Sequence, residues 1–295
     1  MNRRKFVTNV SGTVGALAIA GLPMDFNSVS PQETMTIQDA IDLIIRSVPG
    51  SPFEKTVDTI KAGDPKQPLK GIVTTMFATV DVIEKAIQLG ANLIIAHEPT
   101  FYNHQDNTDW LKNDDVYKYK QALLDKSKMV IWRCHDYIHT YKPDGVYEGV
   151  LTKLGWKSYA DPSSLFRVTI PSNSLQSIIT LSKERLGIER LRYIGDPSAQ
   201  CKKICLMVGA AGGMRQMPLI NAEKPDLVMI GELVEWETLE YMRDLRSSGA
   251  KTSLIILGHI PSEEPGMEWL AGWLEPQLKS IPVRHVPSGT VVKWA

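Results

Sequence analysis

Short apolar runs alternate along the chain with segments in which apolar residues recur every three or four positions. The first such segment follows Thr36, a residue type that caps helices, and it ends before Pro49. Further helices are predicted over residues 79–90, 116–126, 175–186, 235–248 and 265–274. Strands are predicted over residues 71–77, 91–96, 129–132, 166–170, 203–208, 227–230 and 252–257. Strands that alternate with helices pair mainly in parallel, so the pattern predicts an α/β fold with mainly parallel sheets.

The length and composition narrow the class of protein. The 295 residues suffice for two domains of ~150 residues, and the elements divide into α/β lobes predicted at residues 34–160 and 161–295. Equal numbers of basic and acidic side chains, 33 each, give no electrostatic case for a nucleic-acid partner, and none is expected. Three cysteines cannot form a disulfide scaffold. In an extended chain Cys201 and Cys205 would lie ~13 Å apart, too far for a disulfide.

The N-terminal segment, residues 1–30, is predicted to be a signal peptide and linker. It has a basic start, a weakly apolar run and then small residues, which is the layout of a signal peptide. The run is too short for a membrane helix of ~20 apolar residues, so no anchor is expected after cleavage. Arg3 and Arg4 resemble the twin-arginine export signal, and an ordinary secretory signal that contains two arginines is the alternative. We therefore expect an exported protein, periplasmic or extracellular.

Three predicted strands are each followed by side chains that bind metals. These are His97 with Glu98, His135 with His139, and His259 with Glu263. Because the carboxyl ends of strands in open α/β sheets face the ligand crevice, we expect these groups to converge. Imidazole and carboxylate ligands suit divalent zinc, manganese, iron or nickel. For any single histidine the alternative is that it only satisfies a loop carbonyl.

These motifs resemble the GTP cyclohydrolase I type 2 family, also called the NIF-three-like family. The resemblance lies in residues 71–102, 134–146, 231–237 and 257–270, and it extends over nearly all of the chain after about residue 34. Its most specific piece is Gly258-His259-x-x-x-Glu263 together with the strand that ends at His97. The resemblance implies a dinuclear metal site at strand ends between two α/β lobes. It also implies assembly into homo-oligomeric rings, commonly hexamers.

The chain departs from the family pattern at two ligand positions. Glu98 stands where the family has a second adjacent histidine, and His139 stands where the family has a metal-bridging aspartate. Phe77 also stands where many relatives have an aspartate. The resemblance therefore implies two divalent ions bound by His97, Glu98, His139, His259 and Glu263, with Glu98 as the candidate bridge.

Two further residues are candidates for catalysis. Glu232 matches a recurrent acidic position of the family and is expected to orient a water or a proton donor, the alternative being a carboxylate at a helix start. His135 is expected to hydrogen-bond a ligand or to line the pocket. The leading prediction is a metal-dependent hydrolase of an unidentified small molecule, and export argues against GTP as that substrate. The alternative is a non-catalytic, metal-binding oligomeric scaffold.

Overall fold

The structure is a computed structural model that describes residues 35–295, so the predicted signal segment lies outside the described residues. The strands are β1 (Ile60–Ala62), β2 (Ile72–Thr75), β3 (Leu93–Ala96), β4 (Val130–Arg133), β5 (Arg167–Ser174), β6 (Arg192–Ile194), β7 (Gln200–Met207), β8 (Leu227–Ile230), β9 (Ser253–Ile256) and β10 (Val283–His285). The helices are α1 (Ile37–Arg46), α2 (Val80–Gln88), α3 (Asp115–Ser127), α4 (Asp136–Thr140), α5 (Gly145–Leu154), α6 (Leu175–Leu186), α7 (Gly213–Glu223), α8 (Glu240–Ser247) and α9 (His259–Leu274). Every helix of the described part is too short or too polar to span a bilayer.

The first sheet has the order β1-β4-β3-β2-β10. Its strands β10, β2, β3 and β4 run in parallel, and the edge strand β1 is antiparallel to β4. The C-terminal strand β10 thus returns from the second half of the chain and pairs with β2 through Val283 and Ile72. The sequence pattern did not predict this return, and the lobe boundaries at residues 34–160 and 161–295 stay a prediction.

The second sheet has the order β5-β7-β8-β9-β6. The pairs β7–β8 and β8–β9 are parallel, whereas β5 and β6 close the two edges in antiparallel orientation. In the two sheets together, five of the eight strand pairs are parallel. The predicted α/β fold with mainly parallel sheets is therefore confirmed.

One apolar core joins the two sheets. Its largest cluster contains Ile95 of β3, Leu206 of β7, Val150 of α5 and Met267 of α9, all of them buried. Gly149 allows the helices α5 and α9 to pack closely, because a Cβ at this position would overlap the carbonyl group of Pro265. This close contact fixes α9, whose first two turns carry His259 and Glu263, against the first sheet.

Two differences from the predicted elements matter for the site. The last helix begins at His259 rather than at residue 265, because Pro261 falls in the first turn, where a missing N–H is tolerated. His259 therefore lies on the helix and one turn before Glu263, instead of in a preceding loop. The second difference is α4, a short helix that starts directly after His135 and carries His139.

Candidate metal centre

The seven residues singled out from the sequence come together at one edge of the first sheet. His97 and Glu98 follow β3, and His135 follows β4, so the parallel pairing of these strands brings their carboxyl ends side by side. The start of α9, which follows β9 of the second sheet, brings His259 and, one turn later, Glu263 to the same place. The expected convergence is observed, and the role of these residues as ligands stays a prediction.

The first group of side chains that can hold a metal consists of His97, His135 and His139, whose ligand atoms lie within 4.8 Å of one another. The rings of His97 and His135 are stacked with centroids 4.8 Å apart, and His139 lies edge-on to both at 5.1 Å. Sequence reasoning gave His135 a catalytic or hydrogen-bonding role. The structure places it beside two candidate ligands, where it is itself a third.

Each ring of this trio is held through its Nδ1 atom. His135 Nδ1 lies 3.0 Å from Asp136 Oδ1, and His139 Nδ1 lies 2.9 Å from Asp144 Oδ2. Such carboxylate–histidine pairs orient the ring and leave the lone pair of Nε2 free to bind a metal, as in many metal sites. Asp144 also accepts hydrogen bonds from the first backbone N–H groups of α5, so its position is fixed independently of His139.

His97 provides the most direct test of whether these residues fit a metal ion. The ring is fully buried, and its Nδ1 lies 3.1 Å from the carbonyl oxygen of Cys134, which can only accept a hydrogen bond. In the neutral, metal-binding form of the ring, the proton is therefore on Nδ1 and the lone pair is on Nε2. Within residues 35–295 this Nε2 has no hydrogen-bond partner, and it faces Glu263 Oε2 at 3.4 Å. Two buried acceptor atoms that face each other fit a cation between them.

The second group that can hold a metal consists of His97, Glu98 and Glu263, all three buried. His259 lies next to this group, with its Nε2 2.9 Å from Glu263 Oε2 and 3.2 Å from Glu98 Oε1. Its Nδ1 lies 2.7 Å from Glu232 Oε1, so both ring nitrogens face carboxylates. The imidazole of His259 thus links the two buried carboxylates to the half-exposed Glu232.

The charges of the site follow from these contacts. Burial alone would lower the pKa of His259, but its hydrogen bonds to Glu263 and Glu98 raise it to about 10. Burial opposes the ionisation of Glu263, yet the hydrogen bond from His259 brings its pKa well below the usual range. Burial lowers the pKa of His135 to about 4. His135 is therefore neutral at pH 7, which is the form that binds metals.

A buried arginine that sequence reasoning missed holds Glu98 in place. Arg133, the last residue of β4, is fully buried, and its Nη2 lies 3.2 Å from Glu98 Oε2. Its Nε donates to the carbonyl oxygen of His97 at 3.1 Å, and its Nη1 donates to the carbonyl oxygen of His104. One carboxylate oxygen of Glu98 is thus occupied by Arg133, and the other faces His259.

The loop after β7 of the second sheet contacts the carboxylate of Glu263. Gly209 follows β7 with φ +63°, and a Cβ at this position would overlap Glu263 Oε1. The backbone N–H of Gly209 donates to Ser262 Oγ at 3.0 Å. On its other side Gly209 contacts Gly231, where a Cβ would overlap the backbone of Gly209. Only glycine allows the backbone to approach the carboxylate in this way, so the loop after β7 determines where Glu263 lies.

A pocket of about 470 Å³ opens beside the cluster. His259 and Glu232 form one side of it, Phe77 and Tyr102 contribute aromatic surface, and Lys120 of α3 lines it as well. The ring of Phe77 lies edge-on to His259 with centroids 6.0 Å apart. A volume of this size is in the range of small-molecule sites, ~300–1,000 Å³. A small molecule can therefore reach the side of the cluster that His259 and Glu232 form.

Comparisons with known proteins agree with this arrangement. The model of a family described as Duf34/NIF3 (NGG1p interacting factor 3) matches residues 35–290. A protein of Clostridium perfringens (strain 13 / Type A) named GTP cyclohydrolase 1 type 2 homolog is 25% identical over 245 residues, 78% of this chain and 88% of that protein. A protein of the same name from Clostridium acetobutylicum is 22% identical over 237 residues, 75% of this chain and 82% of that protein.

The fold likewise matches that of a solved structure. The crystal structure of a Bacillus cereus protein related to NIF3 superposes with a TM-score of 0.71 at 12% sequence identity. The superposition covers 90% of this chain and 100% of the other. At this identity the likeness concerns the fold alone. The family matched over residues 35–290 is the one that the motifs at His97 and His259 resemble, so that prediction is confirmed.

Proposed function

The chain belongs to the Duf34/NIF3 (NGG1p interacting factor 3) family, and on this basis we propose that it is a metal-dependent hydrolase of a small molecule. The observation that carries the proposal is the buried Nε2 of His97, which has no hydrogen-bond partner among residues 35–295 and faces the carboxylate of Glu263 beside an accessible pocket. A cation at this point would satisfy both groups. The pocket gives a substrate access to the same point.

We propose two divalent ions per chain. The support for this number is that His97 belongs to both groups of candidate ligands, the histidine trio and the group with Glu98 and Glu263. The residues that would hold the ions are His97, Glu98, His135, His139, His259 and Glu263. Their mixed nitrogen and oxygen atoms suit zinc, manganese, iron or nickel.

Divalent ions at such a site lower the pKa of a water and polarise a carbonyl or phosphoryl group of the substrate. The chain itself positions and transfers protons. Glu232 is half exposed at the pocket and its Oε1 accepts from His259 Nδ1 at 2.7 Å, so its other carboxylate oxygen is the one that can take up or release a proton toward the substrate. The fully buried ring of His97 keeps bulk water from the inner side of the cluster.

The pocket favours catalysis over a purely structural metal site. A structural site is closed by protein ligands, whereas a catalytic site leaves a position open to a substrate. Here His259 and Glu232 line a pocket of about 470 Å³, which a scaffold protein does not need. The proposal therefore places the reacting group of the substrate at the His259 side of the cluster.

Two expectations from the sequence belong to this proposal. The clostridial relatives are named GTP cyclohydrolase 1 type 2 homologs, and hydrolysis of a related ring bond is the chemistry that this name suggests. We propose that the substrate here differs from GTP, since the chain is proposed to be exported and nucleoside triphosphates are scarce outside the cytoplasm. We also propose that the chain assembles into a homo-oligomer.

The proposal is tested by measuring the metal content of the protein, purified without a metal-binding tag, by mass spectrometry. We expect about two ions per chain in the wild type and a loss of metal in His97→Ala and Glu263→Ala. The matched controls are His285→Ala on β10 and Glu268→Ala on α9, which should keep the wild-type content. A wild-type protein that takes up no metal, even after reloading with each of the four ions, would overturn the proposal.

A metal-loaded protein is then tested for hydrolysis of amide, ester and phosphoester probes. Activity that disappears in Glu232→Gln while the metal content stays unchanged would support the proton-transfer role of this carboxylate. Full metal loading with no hydrolysis of any probe would favour the scaffold alternative.

A further inference from the structure

Lys120 is a buried cation in the pocket beside the candidate metal centre. It lies on α3, only 4% of its surface is exposed, and it lines the pocket together with His259 and Glu232. Its Nζ donates to the carbonyl oxygen of Thr100 at 2.7 Å and lies 5.5 Å from the ring centroid of Tyr102. In the part of the chain that the structure describes, Lys120 forms no salt bridge within 4.0 Å.

Among the described residues, the direct contacts of the Lys120 ammonium group are therefore a carbonyl dipole and aromatic faces. Buried lysines are usually paired with a carboxylate, because an uncompensated ammonium group loses its hydration without replacement. The acid whose field reaches Lys120 is Asp106, and this residue is already engaged by Lys61 at 3.2 Å and by Arg133 at 3.8 Å. Glu232, the carboxylate that lines the pocket, is paired with His259, so within residues 35–295 no carboxylate forms a salt bridge with Lys120.

Burial lowers the pKa of Lys120 to about 8, although Asp106 acts in the opposite direction. At pH 7 most of the amine is therefore still protonated. A negatively charged group of a ligand in the pocket would restore the missing charge partner and would favour the protonated amine further.

Two other features of the same pocket favour an anion. Thr100 lines the pocket and is 1% exposed, and its Oγ1 has no hydrogen-bond partner within residues 35–295. Thr79 and Val80, at the start of α2, line the pocket too. Thr79 Oγ1 accepts from the N–H of Val82 at 3.2 Å, so the N–H groups of Val80 and Asp81 are the ones without a partner within the helix. Unpaired N–H groups at a helix start carry partial positive charge and bind anionic groups.

We propose that this pocket binds its substrate through an anionic group, a carboxylate or a phosphate, that pairs with Lys120 while another part of the same molecule faces His259 and Glu232. Phe77 and Tyr102, both in the pocket lining, supply apolar surface for the part between these two ends. The assignment of the second end as the reacting end rests on the proposed hydrolase function. The anion site itself does not, because none of its residues is a candidate metal ligand.

The experiment measures anion binding to the full-length protein after treatment with EDTA, so that the result is independent of metal. The probes are inorganic phosphate and benzoate, titrated by calorimetry into the wild type, Lys120→Met and Lys126→Met. Lys126 is an exposed lysine on the same helix and controls for the loss of one positive charge. We expect at least one probe to bind the wild type, with an affinity that falls tenfold or more in Lys120→Met and is unchanged in Lys126→Met.

A second measurement on the wild type covers the case in which Lys120→Met does not fold. The ε-carbon signal of Lys120 is followed by NMR against pH with and without the bound probe, and we expect the probe to raise the Lys120 pKa. Comparison of the phosphate and benzoate titrations distinguishes the two classes of anion.

The proposal is overturned if neither probe binds, or if Lys120→Met binds as well as the wild type. An unchanged Lys120 pKa in the presence of a bound probe overturns it too. Anion binding that depends on Lys120 in a protein without metal or hydrolase activity would uphold the anion site and reject the proposed function.

Discussion

The buried ion pair between Arg133 and Glu98 should contribute much more to stability than an exposed pair of the same chemistry. Arg133 is fully buried and lies 3.2 Å from the Glu98 carboxylate. The chain offers a matched comparison in Arg192 and Glu235, which lie 2.7 Å apart with side chains 55% and 67% exposed. The perturbation is a double-mutant cycle on each pair, with arginine replaced by methionine and glutamate replaced by glutamine, singly and together.

The expected magnitudes follow from the distances and the burial. At an effective dielectric constant of ~20, two unit charges at the buried separation attract by about 5 kcal/mol, part of which offsets their desolvation. We therefore expect a coupling energy of about 2–4 kcal/mol for Arg133 and Glu98. For the exposed pair, the dielectric constant of water, salt and side-chain entropy reduce the coupling to about 0–1 kcal/mol.

The assay is urea unfolding at pH 7 in the presence of EDTA, followed by circular dichroism and by fluorescence. Coincident transitions with unchanged m-values are required for the cycle to be interpreted. Repeating it in 1 M NaCl should reduce the coupling of the exposed pair and leave that of the buried pair nearly unchanged. A coupling below about 1 kcal/mol for Arg133 and Glu98 would refute the reasoning that burial makes this pair strong.

Three further predictions concern the site and its surroundings. Gly209→Ala should destabilise the protein more than Gly187→Ala and should also weaken metal binding. The two glycines have similar backbone angles, φ +63° and φ +66°, but only a Cβ at Gly209 would overlap Glu263. Urea unfolding measures the loss of stability, and metal titration measures the loss of binding. Without metal, the pKa of His259 is raised from 6.5 to about 10, so the protonated ring stabilises the fold fully below pH 6.5 and this stabilisation is lost as the pH rises to about 10. The free energy of unfolding of the wild type should therefore fall toward that of His259→Gln across this range of pH. One lysine signal in an NMR titration should have its midpoint near pH 8 and be absent from Lys120→Met.

Each of these predictions has a contrary outcome. Equal destabilisation by Gly209→Ala and Gly187→Ala, with metal binding intact, would mean that Glu263 adjusts freely to the added methyl group. A constant stability difference between the wild type and His259→Gln from pH 6 to pH 10 would contradict the raised pKa. A Lys120 midpoint near 10.5 would show that the amine is as well solvated as a surface lysine.

The elements that the sequence predicted are those with strong periodicity. The helix over residues 175–186 has the predicted bounds, and so does the strand over residues 227–230, because the apolar pattern and the flanking glycine and proline agree. The strands β1, β6 and β10 were not predicted. Each has three residues, too few to establish a period of two, and each depends on a partner far away in the chain.

The candidate site was predictable in part, for a related reason. His97, His135 and His259 follow apolar runs, and the topology of α/β sheets brings such positions together. Arg133 and Lys120 gave no signal in the sequence. Arg133 pairs with a carboxylate 35 positions earlier, and Lys120 lies on a helix that otherwise resembles a solvated surface helix with many charges. Their burial is a property of the tertiary structure and not of any local pattern.

The pairing of β10 with β2 has a consequence during synthesis. The strand partners at Val283 and Ile72 are about two hundred positions apart, so β2 emerges from the ribosome long before the strand that covers its edge. All four residues of β2 are buried in the finished sheet, and an uncovered apolar edge is a template for aggregation. Chains cut short before β10 would keep this edge open, so they are expected to aggregate more readily than the complete chain.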